Sequence, residues 1–209
     1  MTTPRRHLSM LRSYTVADAL TIGNAACGTI AIFLCLEYLS AAERRFLWIA
    51  FLLLPFALVL DVLDGYVARL NRSRQSVLGS DLDSLADVIS FGVAPAVLGY
   101  TLGLRGGWDM LVLTYFVVCG VSRLARFNVT ASALADAETG KVKYFEGTPI
   151  PTSVILVGIL AVAFWTGRVN DALWFGAWRL GPATLHPLTL MFGLSGSAMI
   201  SATLRVPKP

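Results

Sequence analysis

Residues 61–87 read DVLDGYVARLNRSRQSVLGSDLDSLAD, and long apolar runs flank them on both sides. The stretch contains two acidic pairs, Asp61 with Asp64 and Asp83 with Asp87. Each pair shares one helix face, because residues three or four positions apart are neighbours on the helix surface. Carboxylates this dense beside membrane-grade sequence are costly in free energy unless a cation compensates them. The stretch is therefore predicted to contain the functional site.

The polar turn Arg72-Ser73-Arg74-Gln75-Ser76 separates the two acidic pairs. It predicts an antiparallel pair of helices whose acidic faces converge near the turn. With no His or Cys nearby, the four carboxylates form an all-oxygen site, which suits Mg²⁺ or Mn²⁺ better than Zn²⁺. Four negative charges exceed what one divalent ion neutralises. We therefore expect two ions, the arrangement used for displacement at phosphorus.

Small and basic residues within the stretch fit a bound pyrophosphate. Gly65 and Ala68 are one helical turn apart and would let a ligand approach the backbone closely. Arg69 brings a planar cation that can bind phosphate with two hydrogen bonds. Gly79 would relieve crowding where the next helix begins. The alternative interpretation of Gly65 and Ala68 alone is a helix-packing contact between small residues.

The whole chain has a membrane composition: 56% of its 209 residues are hydrophobic and 14% are charged, against about 25% charged residues in soluble domains. A helix needs about 20 mostly apolar residues to cross the hydrocarbon core. We therefore expect an all-α integral membrane protein with six transmembrane helices. The expected spans are 18–39, 46–69, 82–104, 108–130, 149–167 and 183–204.

The distribution of basic residues predicts the orientation of these spans. One side of the predicted membrane domain holds twelve Lys and Arg residues and the other holds five. Cytoplasmic loops carry the excess of positive charge, so both termini and the acidic stretch are expected on the cytoplasmic side of an inner (cytoplasmic) membrane. Residues 1–17 mix arginines with apolar residues and are expected to form a short interfacial helix. Residues 18–209 would then form the membrane domain.

The pattern D-x2-D-G-x2-A-R-x9-G-x3-D-x3-D over residues 61–87 resembles the signature of the CDP-alcohol phosphatidyltransferases. These six-helix membrane enzymes move a phosphatidyl-type group from a CDP-linked lipid to an alcohol and release CMP. Residues 82–96, 123–128 and 145–151 resemble the membrane-type phosphatidylserine synthases within the family, although Thr148 stands where a bulky aliphatic residue is more usual. The resemblance implies CDP-diacylglycerol and L-serine as substrates, a homodimer, and no nucleic-acid partner.

The resemblance also implies roles for individual residues. Asp61 and Asp83 would bridge two metal ions, with Asp64 on one ion and Asp87 on the other. Asp83 and Asp87 are the expected catalytic residues, and Asp87 would be the general base on the acceptor hydroxyl. The expected contacts to the CDP-lipid are Asn24, Ala25, Ala26, Cys27, Gly65, Ala68, Arg69, Ser76 and Gly79.

The acceptor site should contain a cation, because serine carries a carboxylate as well as an ammonium group. Arg123 and Arg126 are three positions apart in an otherwise apolar predicted helix. We expect at least one of them to contact the serine carboxylate, with Asn128 nearby. The alternatives are that these arginines extend to the membrane surface or that they pair with the acidic stretch.

Two other functions are compatible with parts of the pattern. The same chemistry could use another acceptor, such as glycerol phosphate, inositol phosphate or choline, or an archaeal lipid donor. An ion-coupled transporter could also carry intramembrane carboxylates. Transport is disfavoured because the acidic residues cluster at one helix pair, whereas transporter sites lie near the midplane at broken helices.

Overall fold

The computed structural model describes residues 15–70, 77–135, 144–201 and 205–207. Within these residues the chain is mostly helical, and seven α-helices follow one another along it. Their bounds are α1 Val16–Ala41, α2 Arg44–Leu70, α3 Val77–Asp87, α4 Ala94–Leu102, α5 Gly107–Ala135, α6 Val154–Trp165 and α7 Leu190–Ile200.

Helices α1 and α2 form a long antiparallel hairpin. Helix α1 begins at a capping box, in which the Thr15 side chain accepts from the Asp18 backbone N–H and the Asp18 carboxylate accepts from the Thr15 backbone N–H. Such reciprocal bonds satisfy two of the amide groups that a helix start leaves unpaired. The helix ends at Ala42, whose left-handed backbone (φ 56°) turns the chain into α2. The hairpin thereby brings the start of α1 beside the end of α2, where Asp61 and Asp64 lie.

Helices α3 and α4 are joined without a break by a π-helical turn, Val88–Val93. A π-turn widens the helix locally and often lies at a functional site. Here it packs against α1: the Ser90 hydroxyl donates to the Asn24 carbonyl over 2.8 Å. Gly28 leaves room for this contact, because a Cβ at that position would lie 2.7 Å from the Ser90 Cα. The π-turn directly follows Asp87. Its packing against α1 therefore fixes the position of the Asp87 carboxylate along α1.

Gly28→Ala is expected to destabilise the packing of α1 on the π-turn. Overpacking a close helix contact costs about 1–3 kcal/mol, because here the backbone of Ser90 would have to move. Thermal unfolding of the detergent-purified protein would measure the loss. Gly158→Ala in α6 is the matched control, since a Cβ there meets no atom within 4 Å. Equal melting temperatures for the two variants would contradict the close contact.

Four helical stretches are long and apolar enough to cross a membrane. They are Val16–Ala41, Arg44–Leu70, Gly79–Leu102 and Gly107–Val129. Their outward faces carry exposed large apolar side chains such as Phe33, Leu52 and Val118, as expected for contact with lipid. Phe91, Phe116, Phe164 and Phe192 are fully buried in the core between the helices. The chain is therefore a mostly helical, multi-pass membrane protein.

The last two apolar helices are shorter than the sequence predicts. Including their 3₁₀ first turns, they run over Ile150–Trp165 and Pro187–Ile200, where 149–167 and 183–204 are expected. Proline at the start of each 3₁₀ turn fixes φ and removes a backbone donor, which favours a loop-to-helix boundary at that point. Residues 183–185 are instead a strand, so the predicted start of the sixth span is wrong.

Two small antiparallel sheets also correct the prediction of an all-α fold. In one, β1 (Tyr144–Glu146) pairs with β4 (Arg205–Pro207), so that Phe145 lies opposite Val206. In the other, β2 (Trp178–Leu180) and β3 (Ala183–Leu185) form a hairpin. Gly181 has φ +63° in its turn, a conformation that glycine adopts without a steric penalty. The connection between α6 and α7 therefore contains this β-hairpin.

Candidate active site

Three carboxylates from α2 and α3 converge. Asp61, Asp83 and Asp87 each offer one oxygen, and these oxygens all lie within 4.8 Å of one another. Asp87 is buried and the other two are half-buried. Like charges this close and partly out of water repel one another, and a bound cation would relieve the repulsion. The predicted convergence of the two acidic helices is therefore present.

The chemistry of this acidic cluster fits a divalent ion. Asp83 Oδ1 is buried and has no hydrogen-bond partner among the residues that the structure describes. Buried polar atoms are nearly always paired, so an orphaned carboxylate oxygen beside two other carboxylates points to a bound cation. Hard cations such as Mg²⁺ and Mn²⁺ prefer oxygen ligands of this kind. Asp61, Asp83 and Asp87 could thus hold an ion.

Asp64, the fourth predicted metal ligand, lies outside this group of three. It is buried on α2 and accepts a hydrogen bond of 2.5 Å from the Thr21 hydroxyl on α1. The structure therefore divides the four predicted ligands into a convergent trio and one carboxylate that is held by a neighbouring helix.

Helix α1 contributes Asn24 to the site. Its side chain is fully buried, and its amide Nδ2 donates to Asp87 Oδ1 over 3.4 Å. Asn24 Oδ1 is unpartnered among the described residues, so it can accept from a ligand. Cys27, one turn further on, is also buried, whereas Ala25 is half-buried and Ala26 is exposed. Of these four predicted nucleotide contacts, Asn24 and Cys27 share the face toward the carboxylates.

Four of the other predicted CDP-lipid contacts lie in the second half of α2 or at the start of α3. A Cβ on Gly65 would meet nothing within 4 Å, so there is space beside this backbone. Ala68 is half-buried, and Arg69 is exposed near the end of α2. Gly79 lies in the first turn of α3, and Ser76 is outside the described residues.

Helix α5 places one of its two arginines beside the carboxylates. Arg123 is half-buried and interacts electrostatically with Asp87. Its Nε is buried without a hydrogen-bond acceptor in the described parts of the chain. Arg126 is exposed. Asn128 Nδ2 donates to the Ser84 hydroxyl over 3.0 Å, which ties α5 to α3 directly next to Asp83.

Sequence reasoning missed Thr21, Ser84 and Ser90. Each makes a hydrogen bond to a predicted site residue that is more than 40 positions away in the chain. One signal was present: Thr21 precedes Asn24 by three residues and so shares its helix face. Ser84 directly follows Asp83, but nothing in the sequence indicates that it bonds to Asn128 on α5.

Comparison with known proteins agrees with this geometry. The family model for CDP-alcohol phosphatidyltransferase matches residues 14–191. A relative from Saccharomyces cerevisiae, named CDP-diacylglycerol–serine O-phosphatidyltransferase, is 41% identical over all of this chain and 76% of its own length. A relative of the same name from Mycobacterium tuberculosis is 36% identical over 78% of this chain and 54% of its own length.

An archaeal relative extends the comparison to a second lipid class. The archaetidylserine synthase of Methanothermobacter thermautotrophicus is 38% identical over 67% of this chain and 54% of its own length. The chain therefore spans about three quarters of the length of the Saccharomyces cerevisiae relative. It spans about half of the length of the Mycobacterium tuberculosis and Methanothermobacter thermautotrophicus relatives. Because the family model covers most of the chain and all eight fixed positions of the acidic pattern lie inside the match, the chain belongs to the CDP-alcohol phosphatidyltransferase family.

Proposed function

We propose that this chain transfers the phosphatidyl group of CDP-diacylglycerol to the hydroxyl of L-serine, giving phosphatidylserine and CMP. The family and the names of the relatives confirm the enzyme class that the sequence predicts. The choice of acceptor is carried by the names of the relatives, and Arg123, whose charge acts on Asp87, agrees with that choice. A cation near the expected base suits an acceptor that bears a carboxylate.

Four carboxylates would hold two divalent ions, Mg²⁺ or Mn²⁺. Asp61, Asp83 and Asp87 supply oxygens to a common point, and Asp64 would complete the second ion's ligands. When bound, such ions neutralise charge on the pyrophosphate and on the departing CMP. The orphaned oxygen of Asp83 is the observation that supports this assignment.

Asp87 would act as the general base on the acceptor. The serine hydroxyl is a weak acid, so a positioned carboxylate must take its proton as the new bond forms. The serine oxygen bonds to the lipid-side phosphorus, the bond from that phosphorus to the bridging oxygen breaks, and its electron pair leaves with CMP. Direct displacement of this kind needs no covalent intermediate on the enzyme. Asn24, which donates to Asp87, would orient the base.

The two substrates would enter from different sides of the acidic cluster. The residues proposed to bind the CDP-lipid are Asn24 to Cys27 on α1, Gly65, Ala68 and Arg69 on α2, and Ser76 and Gly79. Arg123 is proposed to bind the serine carboxylate. Arg126 and Asn128 would complete the acceptor side, Asn128 through its bond to Ser84.

Six membrane spans are proposed for the whole chain. The helices Ile150–Trp165 and Pro187–Ile200 would be the fifth and sixth spans, each about 20–25 Å long at 1.5 Å per residue, with short flanking segments completing the crossing. Residues 1–17 are proposed as an interfacial segment that leads into α1, although residues 1–14 lie outside the described part of the chain, and 18–209 would form the membrane domain. The excess of basic residues supports an active site and both termini on the cytoplasmic side of the inner membrane. A homodimer is proposed from the resemblance to the family.

An acceptor screen tests the proposed function. Purified protein with CDP-diacylglycerol and Mg²⁺ or Mn²⁺ is expected to release CMP with L-serine, and not with glycerol phosphate, inositol phosphate or choline. The archaeal relative makes an archaeal CDP-lipid the second candidate donor, so both donors belong in the screen. Release of CMP with another alcohol, while serine is inert, would show that the acceptor assignment is wrong.

A further inference from the structure

A buried hydrogen bond joins α1 to the one predicted metal ligand outside the convergent trio. The Thr21 side chain is 4% exposed and Asp64 is 7% exposed. The Thr21 hydroxyl lies 2.5 Å from Asp64 Oδ2, a length typical of a hydroxyl that donates to an ionised carboxylate. The two residues are 43 positions apart, so the bond depends on the packing of α1 against α2.

A second acceptor competes for the same proton. Thr21 Oγ1 also lies 3.1 Å from the Ala17 carbonyl, the usual local bond of a threonine within a helix. A hydroxyl has one proton to donate, and the carboxylate is both closer and charged. The proton therefore points to Asp64.

The surroundings of Asp64 make its orientation sensitive to this bond. The negative charge of Asp18 acts on Asp64 from the first turn of α1. Asp18 is itself fixed by Thr15, whose backbone N–H and hydroxyl donate to its carboxylate over 2.7 Å and 3.0 Å. Because a carboxylate is planar, a bond that fixes one oxygen of Asp64 also fixes the direction of the other.

Thr21 and Asn24 act on two different helices from one face of α1. Thr21 donates to Asp64 on α2, and Asn24, three residues later, donates to Asp87 on α3. We infer that Thr21 is a positioning residue, whose hydroxyl holds the Asp64 carboxylate in the orientation in which it binds a divalent ion. The inference rests on the proposed metal-dependent function and adds a residue that the acidic pattern does not contain.

Thr21→Val tests the inference, because valine keeps the shape of threonine and removes the hydroxyl. The measurement is Mn²⁺ binding to the detergent-purified full chain without lipid or serine, followed by electron paramagnetic resonance. Of the two proposed Mn²⁺ ions, the more weakly bound one is measured. Its dissociation constant is expected to rise about 10- to 100-fold, the usual effect of losing a hydrogen-bond partner of a metal ligand. Thr21→Ser, which restores the hydroxyl, is expected to bind Mn²⁺ within about twofold of the wild type, well below the loss expected for Thr21→Val.

Thr29→Val is the matched control on the same helix. The Thr29 hydroxyl donates over 2.9 Å to the Ala25 carbonyl, a local bond to the helix backbone, and this variant is expected to bind Mn²⁺ like the wild type. Unchanged Mn²⁺ affinity in Thr21→Val would overturn the inference while leaving the metal centre intact. Equal weakening in Thr21→Val and Thr21→Ser would also overturn it, since packing rather than the hydroxyl would be responsible. A wild-type protein that binds no Mn²⁺ would overturn the metal centre itself, and the inference with it.

Discussion

Asp87→Asn is expected to abolish turnover while leaving most of the CDP-lipid binding in place. Asparagine has the shape of aspartate and can still accept from Asn24, which donates to Asp87 Oδ1 in the wild type. It cannot take a proton from serine, and loss of a general base costs about 10²- to 10⁴-fold in rate. The measurements are phosphatidylserine formation in vesicles and binding of CDP-diacylglycerol to the purified variant.

Asp81→Asn is the matched control for this loss. Asp81 lies on α3, as Asp83 and Asp87 do, but it is exposed and is not part of the convergent trio. Asp81→Asn also removes one negative charge from α3. Its turnover rate is expected to stay within about twofold of the wild-type rate, a far smaller change than the loss of a general base causes. Turnover of Asp87→Asn close to the wild-type rate would exclude Asp87 as the base.

Arg123→Gln is expected to raise the KM for serine about 10- to 100-fold. Hydrogen bonds to charged groups contribute about 1.5–3 kcal/mol, and each 1.4 kcal/mol is a factor of ten. The half-buried position of Arg123 and its unpartnered Nε make its guanidinium available to a carboxylate. Steady-state kinetics with serine as the varied substrate would measure the change, and CDP-lipid binding should be largely retained.

Two comparisons separate acceptor binding from a general disturbance of the site. Arg126→Gln removes the exposed neighbouring arginine and is expected to change the KM for serine less than Arg123→Gln. Ethanolamine is serine without its carboxylate, so any residual transfer to ethanolamine should be insensitive to Arg123→Gln. An unchanged KM for serine in Arg123→Gln, or an equal loss with ethanolamine, would contradict the assignment.

The convergence of the acidic cluster is predictable from the sequence, because it depends on local geometry. The spacings Asp61-x2-Asp64 and Asp83-x3-Asp87 fix which residues share a helix face. The polar sequence between the pairs predicts that the two helices run antiparallel. The composition and apolar runs likewise predict a helical membrane protein, and four long helices confirm that class.

The partners of the carboxylates are not predictable in this way. Asp64 is turned toward Thr21 on α1, and Asn128 bonds to Ser84 across α3 and α5. Both contacts depend on how distant helices pack, which one sequence does not specify. The π-turn at Val88–Val93 is similarly hidden, because its mostly apolar residues carry no local signal for a wider helical turn.

The start of the last apolar helix is also not predictable from the sequence alone. Residues 183–204 read as one apolar run, yet β3 occupies its first three residues and the helix begins only after Pro187. The strand pairs with β2 through backbone hydrogen bonds, which apolar composition alone does not reveal. Hydropathy therefore identifies the segment but misplaces its start.

The most direct test of serine-dependent phosphatidyl transfer is the stoichiometry of its two products. The wild-type protein, reconstituted in vesicles with CDP-diacylglycerol and Mg²⁺ or Mn²⁺, would be given isotope-labelled serine while CMP and phosphatidylserine are counted together. Equal amounts of CMP and phosphatidylserine are expected, and no CMP when serine is left out. CMP release without serine, or CMP without labelled phosphatidylserine, would contradict it.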